Sequence, residues 1–317
     1  MSDYSLVKAP CFLTGSPRSG TTLLRLMLSH HPKIAWSSEF NYTVRFVGDD
    51  GTWPDLEVYK KWLETNLMYR RKEYIIDPSL NYLELVNSFL CQERDQDNKE
   101  IVGATVHEFF QRLPLLWPDA RFIHIIRDPR DVALSAINMG WAGNVWTGLD
   151  VWLNSENLWQ QFKPTLSSEQ YLEVKYEDLI ENSVETLTKI CNFLGTDFSE
   201  EMLSYPEDTT YSLPDPQLTN QWKKKLSNRQ IQLIEARLGE QLLNSGYQPS
   251  GLEPIQVSQL EQRFFKVQSI LYVKQLNLRR YGLGLTLSLF LAKRLKIKSW
   301  EKKSFLEMEK IWLKYVK

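Results

Sequence analysis

The stretch Gly15-Ser16-Pro17-Arg18-Ser19-Gly20-Thr21-Thr22 constrains this chain more than any other. It follows the apolar run Cys11-Phe12-Leu13 and leads into Leu23, Leu24, Leu26, Met27 and Leu28, which recur at helical spacing and stop before Pro32. A strand, a glycine-bearing turn and a helix in that order make a backbone pocket for an anion. The glycines let the loop curl with its amide hydrogens inward, and the first helical turn adds unpaired N–H groups and the positive end of its dipole.

The spacing Gly15-x4-Gly20 fits a nucleotide-binding P-loop, which continues with Lys and then Ser/Thr. Here Thr21 and Thr22 stand at those places, and the cation of the loop is Arg18. A lysine for the β- and γ-phosphates is missing, and Asp128 is the one Walker-B-like carboxylate, so ATP chemistry is disfavoured and no metal is implied. A kinase or nucleotide hydrolase stays as the alternative enzyme, and a non-catalytic nucleotide-binding protein as the alternative of another class.

Periodicity predicts further strand-then-helix units. Strands are expected near 101–105, 121–126 and 171–174; helices follow Pro129, start at Asn182 and end at Gly195, and open with the capping box Ser227-x-x-Gln230. The fold class is α/β: a P-loop-like parallel sheet flanked by helices on both faces. Trp152 and Trp159, seven residues apart, are expected on one buried helix face, while Trp141 and Trp146 suit either core packing or an acceptor-pocket wall.

The formal charge of -1 arises from 38 Lys+Arg and 39 Asp+Glu, which excludes a globally basic, nucleic-acid-binding chain. The balance is uneven. Residues 252–317 hold fourteen Lys+Arg and five Asp+Glu, a local +9, which leaves -10 for residues 1–251. A boundary is therefore expected near Gly251, between an α/β domain over 1–251 and a basic, partly apolar extension over 252–317. Cys11, Cys91 and Cys191 form neither a disulfide framework nor a zinc pattern, so a cytoplasmic setting is expected.

The loop resembles that of sulfotransferases that use 3'-phosphoadenosine 5'-phosphosulfate, PAPS: Pro17 to Thr22 match their Pro-Arg/Lys-Ser-Gly-Thr-Thr motif. The resemblance implies that Arg18, Ser19, Gly20, Thr21 and Thr22 hold the 5'-phosphosulfate. It also assigns the 3'-phosphate to an Arg at a strand end and a Ser eight residues later, which Arg127 and Ser135 match. The physical reason stands beside the name, since guanidinium offers a fixed fork of donors for phosphate. An internal pair between Arg127 and Asp131 is the plain alternative. Tyr176, in Tyr176-Glu177-Asp178-Leu179, matches the family's tyrosine near the adenine and 3'-phosphate. The matches run over about 10–250, and the nearest branch is the one that includes tyrosylprotein sulfotransferases, through His31-Pro32 and a Trp222-centred segment.

Sulfuryl transfer needs a group to take the acceptor's proton and donors to hold charge on the departing phosphate. Glu39, 20 residues beyond Ser19 and flanked by Trp36 and Phe40, is the first-choice base by that resemblance. His107, 20 residues before Arg127, is the alternative, and imidazole titrates near neutrality. Thr105 stands where both branches carry a lysine, which shifts charge stabilisation to Arg18, the loop amides and His107; Lys223 is a substitute for a later family lysine. The implied acceptor is a phenol, alcohol or carbohydrate hydroxyl.

Residues 283–292 alternate Leu with mostly small residues, so their period is strand-like while their Leu content favours helix. Lys293, Arg294, Lys296, Lys298, Lys302 and Lys303 follow. Such a segment suits a helical extension that packs on the body, self-associates, or rests peripherally on an anionic membrane surface.

Overall fold

Strands covered by helices on both faces carry apolar side chains at successive positions, and the inner strands of this protein do so. The computed structural model describes residues 6–96 and 98–312. It contains the strands β1 (Cys11–Thr14), β2 (Ile34–Glu39), β3 (Ile101–Thr105), β4 (Arg121–Ile126) and β5 (Tyr171–Lys175). Its helices include α1 (Thr21–Ser29), α2 (Tyr82–Gln96), α3 (Pro129–Asn138), α4 (Asp150–Phe162), α5 (Tyr176–Glu181), α6 (Ser183–Leu194), α7 (Asn228–Leu238), α8 (Gln259–Arg294) and α9 (Lys298–Trp312).

The chain packs as two compact units, Met1–Asp128 with Val151–Gln221, and Pro129–Asp150 with Trp222–Lys317. The expected boundary near Gly251 falls inside the second of them. In the first unit all five strands run parallel in the order β2-β3-β1-β4-β5. Alternation along β1 divides its neighbours between two cores. Phe12 joins Phe122, Phe89 of α2, and Trp159 and Phe162 of α4 on one face. Cys11 and Leu13 join Leu24 and Met27 of α1 and Leu187 and Ile190 of α6 on the other. This is the expected sheet with helices on both faces.

Phe12 is fully buried, its ring 5.4 Å from that of Trp117 and 6.0 Å from that of Phe122. Phe12→Ala is expected to remove about 3–5 kcal/mol of stability, read as a fall in the urea midpoint of the intact chain. A loss below about 1 kcal/mol would mean that β1 is not the centre of this core.

The strand β2 is absent from the sequence expectations. Its first half, Ile34-Ala35-Trp36, is apolar and buried, but Ser37-Ser38-Glu39 reads as loop, and the pairing with β3 shifts register between Ser37 and Glu39. Parallel ladder bonds to β3, not side-chain character, carry the strand to Glu39. The expected ends of α6 hold, with Gly195 in the left-handed region at φ 83. The capping box Ser227/Gln230 opens α7, which stops at Gly239, and Leu242 lies on a separate turn. Trp152 and Trp159 are both buried on α4, as their spacing predicts.

The second unit is organised by buried polar contacts. Arg130 on α3 donates to Glu235 of α7 at 2.8 Å and to the Gln248 carbonyl at 3.1 Å, and lies 3.6 Å from the Trp222 ring centre. Glu235 also accepts from the Ser250 N–H and hydroxyl, which seals the end of this segment. Trp146 is buried beside Phe265 and Arg237, so core packing is its role in this unit, whereas Trp141 is exposed. Residues 283–292 are helical, and Gly282 at φ 76 and ψ 161 interrupts α8 just before them.

Candidate anion-binding and transfer site

All five strands end at one edge of the first unit, and ligands of open parallel sheets bind outside such carboxyl ends. Directly after β1, Gly15, Arg18 and Gly20 adopt left-handed φ values of 144°, 75° and 92°. Glycine is required at both ends. A Cβ on Gly15 would stand 2.3 Å from the Ile125 carbonyl oxygen, and one on Gly20 would stand 2.2 Å from the Tyr176 ring. Arg18 takes the same conformation with a full side chain, a strained geometry that clusters at binding sites. The Ser19 N–H bonds to the Ser16 carbonyl at 3.1 Å and closes the curl. Gly20 then caps α1 with no side-chain acceptor, and no acidic residue sits in the first turn, so the dipole end at Thr21 and Thr22 is open to an anion.

Two observations say what the loop fits. The Ser19 hydroxyl is buried without a hydrogen-bond partner among the described residues, a costly state that a bound acceptor oxygen relieves. Arg18 is held below the usual arginine value, first by burial and further by the nearby Arg127 cation, against opposing interactions with Tyr211 and Tyr176. Two cations brought together at a half-buried site call for an anion between them.

Arg127 extends from the end of β4 and donates to the Arg18 carbonyl at 3.1 Å and to the Leu218 carbonyl at 2.9 Å. Its guanidinium lies 4.3 Å from the ring centre of Tyr176, the first residue after β5. Tyr176 thus touches the loop at Gly20 and the arginine at once, which joins three of the motifs expected from sequence. The carbonyl of Arg127 accepts from the indole of Trp152 at 3.0 Å, fixing the backbone from which the side chain departs. Ser135 lies on α3, in the second unit, half-buried. Asp131 on the same helix accepts the Trp222 N–H at 2.7 Å. Asp128 is buried, and its N–H donates to Glu177 at 3.0 Å.

The two candidate bases prove to be neighbours. Glu39 ends β2, Thr105 ends β3, and these two residues are paired in register, which brings His107 to within 3.7 Å of Glu39, measured from Nε2 to Oε1. The other ring nitrogen, Nδ1, is 2.9 Å from the Gly15 carbonyl oxygen. A carbonyl can only accept, so Nδ1 carries the proton, and in the neutral ring Nε2 presents its lone pair on the Glu39 side. The Asn41 side chain accepts the His107 N–H at 2.8 Å and holds that backbone in place. Thr105, where a lysine was expected, is buried and accepts the Trp36 indole at 3.2 Å, a structural task.

The cation that sequence reasoning missed is Arg25, one turn past Thr21 on α1. Burial lowers its pKa from the ordinary arginine value, while Tyr211 and the Glu39 carboxylate favour its charge. A helix-period reading sees only a polar position between Leu24 and Leu26, and Tyr211 comes from a distant loop. A second missed group supports the loop from below. His124 Nδ1 meets the Thr14 hydroxyl at 3.1 Å, its Nε2 meets Glu156 at 3.0 Å, and Trp159 stacks on the ring at 4.2 Å. This buried relay anchors the residue just before Gly15. Among the described residues, no group of three His, Cys, Asp or Glu side chains is placed to hold a metal ion.

The sheet, the curled loop and the open helix end define an α/β protein of the P-loop-like class. A sequence model described as Sulfotransferase family matches residues 10–200, and the chain belongs to that family. It is 29% identical over 202 residues to a Caenorhabditis briggsae protein that carries a provisional protein-tyrosine sulfotransferase name, covering 62% of this chain and 69% of that one. It is 24% identical over 212 residues to Protein-tyrosine sulfotransferase 2 of Gallus gallus, covering 64% of this chain and 56% of that one. The sulfotransferase domain of the curacin biosynthetic pathway shares the fold, with a TM-score of 0.50 at 18% identity over 77% of this chain and 99% of that one. The protein is accordingly an enzyme that moves a sulfuryl group from PAPS to a hydroxyl acceptor.

Proposed function

We propose that the loop of residues 15–22, Arg127 and Tyr176 hold PAPS, and that Glu39 and His107 act as one proton-accepting unit. The observation that carries this reading is the junction at Gly15, which opens the curled loop at φ 144 while its carbonyl fixes the tautomer of His107 beside Glu39. PAPS supplies a sulfuryl group already activated on a phosphate. The chain's own residues do the rest. The loop amides, the Ser19 hydroxyl and Arg18 bind the phosphosulfate end, and the Arg18 and Arg25 cations stabilise negative charge that grows on the leaving phosphate. His107 Nε2 takes the proton of the acceptor hydroxyl, and the Glu39 carboxylate stabilises the resulting imidazolium. The acceptor class is a hydroxyl on a phenol, alcohol or carbohydrate.

Calorimetry with 3',5'-adenosine diphosphate tests the donor site. Arg127→Ala is expected to weaken binding by about 2 kcal/mol through lost charged hydrogen bonds. Binding of adenosine 5'-phosphate, which lacks the 3'-phosphate, should fall far less. Equal losses for both nucleotides would make Arg127 a structural clamp for the Arg18 and Leu218 carbonyls and not a phosphate ligand. Cys11, Cys91 and Cys191 are buried thiols outside any disulfide, which supports a reducing, cytoplasmic setting.

A further inference from the structure

The α8–α9 segment of the second unit carries a surface that sulfuryl transfer does not use. The first part of α8 is packed along one side. Ser269 is buried and bonds the Gly143 N–H at 2.9 Å and the Thr147 hydroxyl at 2.8 Å, and the Phe265 carbonyl accepts from Asn144 at 2.8 Å. At about 100° per residue, Leu260, Phe264, Val267, Leu271 and Leu278 fall on the opposite side as a single stripe. Their exposures are 75%, 61%, 55%, 62% and 41%, against 6% for Ser269.

The pattern repeats beyond the break at Gly282. Ala292 is buried, and Ser288 bonds Ser304 and the Trp300 indole of α9 at 2.8 Å each. Leu283, Leu287 and Phe290 fall on the other side, 62%, 47% and 56% exposed. Two consecutive helical segments therefore turn apolar stripes outward, although neither is needed for the packing of α8.

Charge decides what covers them. Exposed Arg263 and Lys274 border the first stripe, and exposed Arg294 lies one turn beyond Phe290 in line with the second. On α9, Lys298, Lys302 and Phe305 share a face by their spacing, with Phe305 54% exposed. The segment 252–317 carries +9. A two-fold contact between copies of this segment would set those charges against one another. A nucleic acid would satisfy the charge but leave the leucines in water. An anionic bilayer surface satisfies both, because leucine and phenylalanine enter the headgroup–acyl boundary while lysine and arginine meet the headgroups. No described helix is long and apolar enough to cross a membrane, so the mode available to it is to lie in the surface.

We propose that α8 and α9 dock this enzyme on the surface of an anionic lipid bilayer, with the Leu260–Leu278 and Leu283–Phe290 stripes embedded at the interface. The experiment is flotation of the full chain with phosphatidylcholine vesicles, with and without roughly one third phosphatidylglycerol. Association is expected with the anionic vesicles, weakening as salt rises. The triple variant Phe264→Ser, Leu271→Ser, Phe290→Ser should bind at least about tenfold more weakly, and Lys274→Glu with Arg294→Glu should lose the preference for anionic lipid. These positions lie outside the transfer site, so sulfuryl transfer to an acceptor in solution should be unchanged. That readout separates a failure of docking from a failure of the catalytic reading. Equal vesicle binding by wild type and triple variant would overturn the proposal. So would a wild-type chain that ignores vesicles, whether it sediments as a monomer or as a dimer that the triple variant dissolves.

Discussion

His107→Ala is expected to slow sulfuryl transfer by about 100- to 10,000-fold, the range that a positioned general base supplies, while nucleotide affinity stays near that of the wild type. The reason is geometric. The Gly15 carbonyl commits Nδ1 as a donor, so Nε2 is the atom of the ring left to receive a proton, and Glu39 stands 3.7 Å from it. Glu39→Gln removes the countercharge of the imidazolium and should cost a large part of the same factor. Because the two act as one unit, the double variant should be little worse than the poorer single one. Multiplicative losses would mean that each side chain works alone. Full activity in His107→Ala with none in Glu39→Gln would return the proton to the carboxylate itself, the reading that the family resemblance favours.

Arg18→Ala should lower the transfer rate by about 100- to 1,000-fold, as the removal of one preorganised donor to a developing oxyanion does. Arg18 sits inside the loop at φ 75, close enough to Arg127 for the second cation to disfavour its charge. Alanine at that position keeps the strained backbone and removes the charge, so the variant should fold with little change in thermal midpoint. Arg18→Lys is expected to restore part of the rate, since it returns the charge without the planar fork. A variant that transfers at the wild-type rate would reassign charge stabilisation to Arg25, whose guanidinium answers to Glu39 and Tyr211.

The residues that were legible in the sequence are those whose chemistry is local. The anion loop is written in consecutive positions because its curl needs Gly15 and Gly20 where a Cβ would strike Ile125 and Tyr176. Arg127 and Tyr176 were legible because each directly follows a strand, β4 with its buried apolar run and β5 with Leu172 and Val174 in alternation. What escaped depends on pairing at a distance. The polar half of β2 is a strand only through its ladder to β3, and that ladder is what places Glu39 beside His107. Both residues were found by their offsets, but their proximity was not. Arg25 and the His124–Glu156 relay were missed because each gains its meaning from side chains far along the chain. The grouping of Pro129–Asp150 with Trp222–Lys317 was invisible because it rests on packing between segments far apart in the chain, Arg130 against Glu235 among them, which leaves no trace in composition. The +9 of the last 66 residues was plain from the sequence. That its leucines form outward stripes on helices needed the backbone.

Sulfur-labelled PAPS offered to the purified protein with a cell extract as the acceptor source is the most direct measure of the central claim. The expected result is label on a hydroxyl of a product identified by mass spectrometry, with one 3',5'-adenosine diphosphate released for each transfer, and loss of both signals in His107→Ala and Arg18→Ala. Consumption of ATP with magnesium by a protein that leaves PAPS untouched would contradict it.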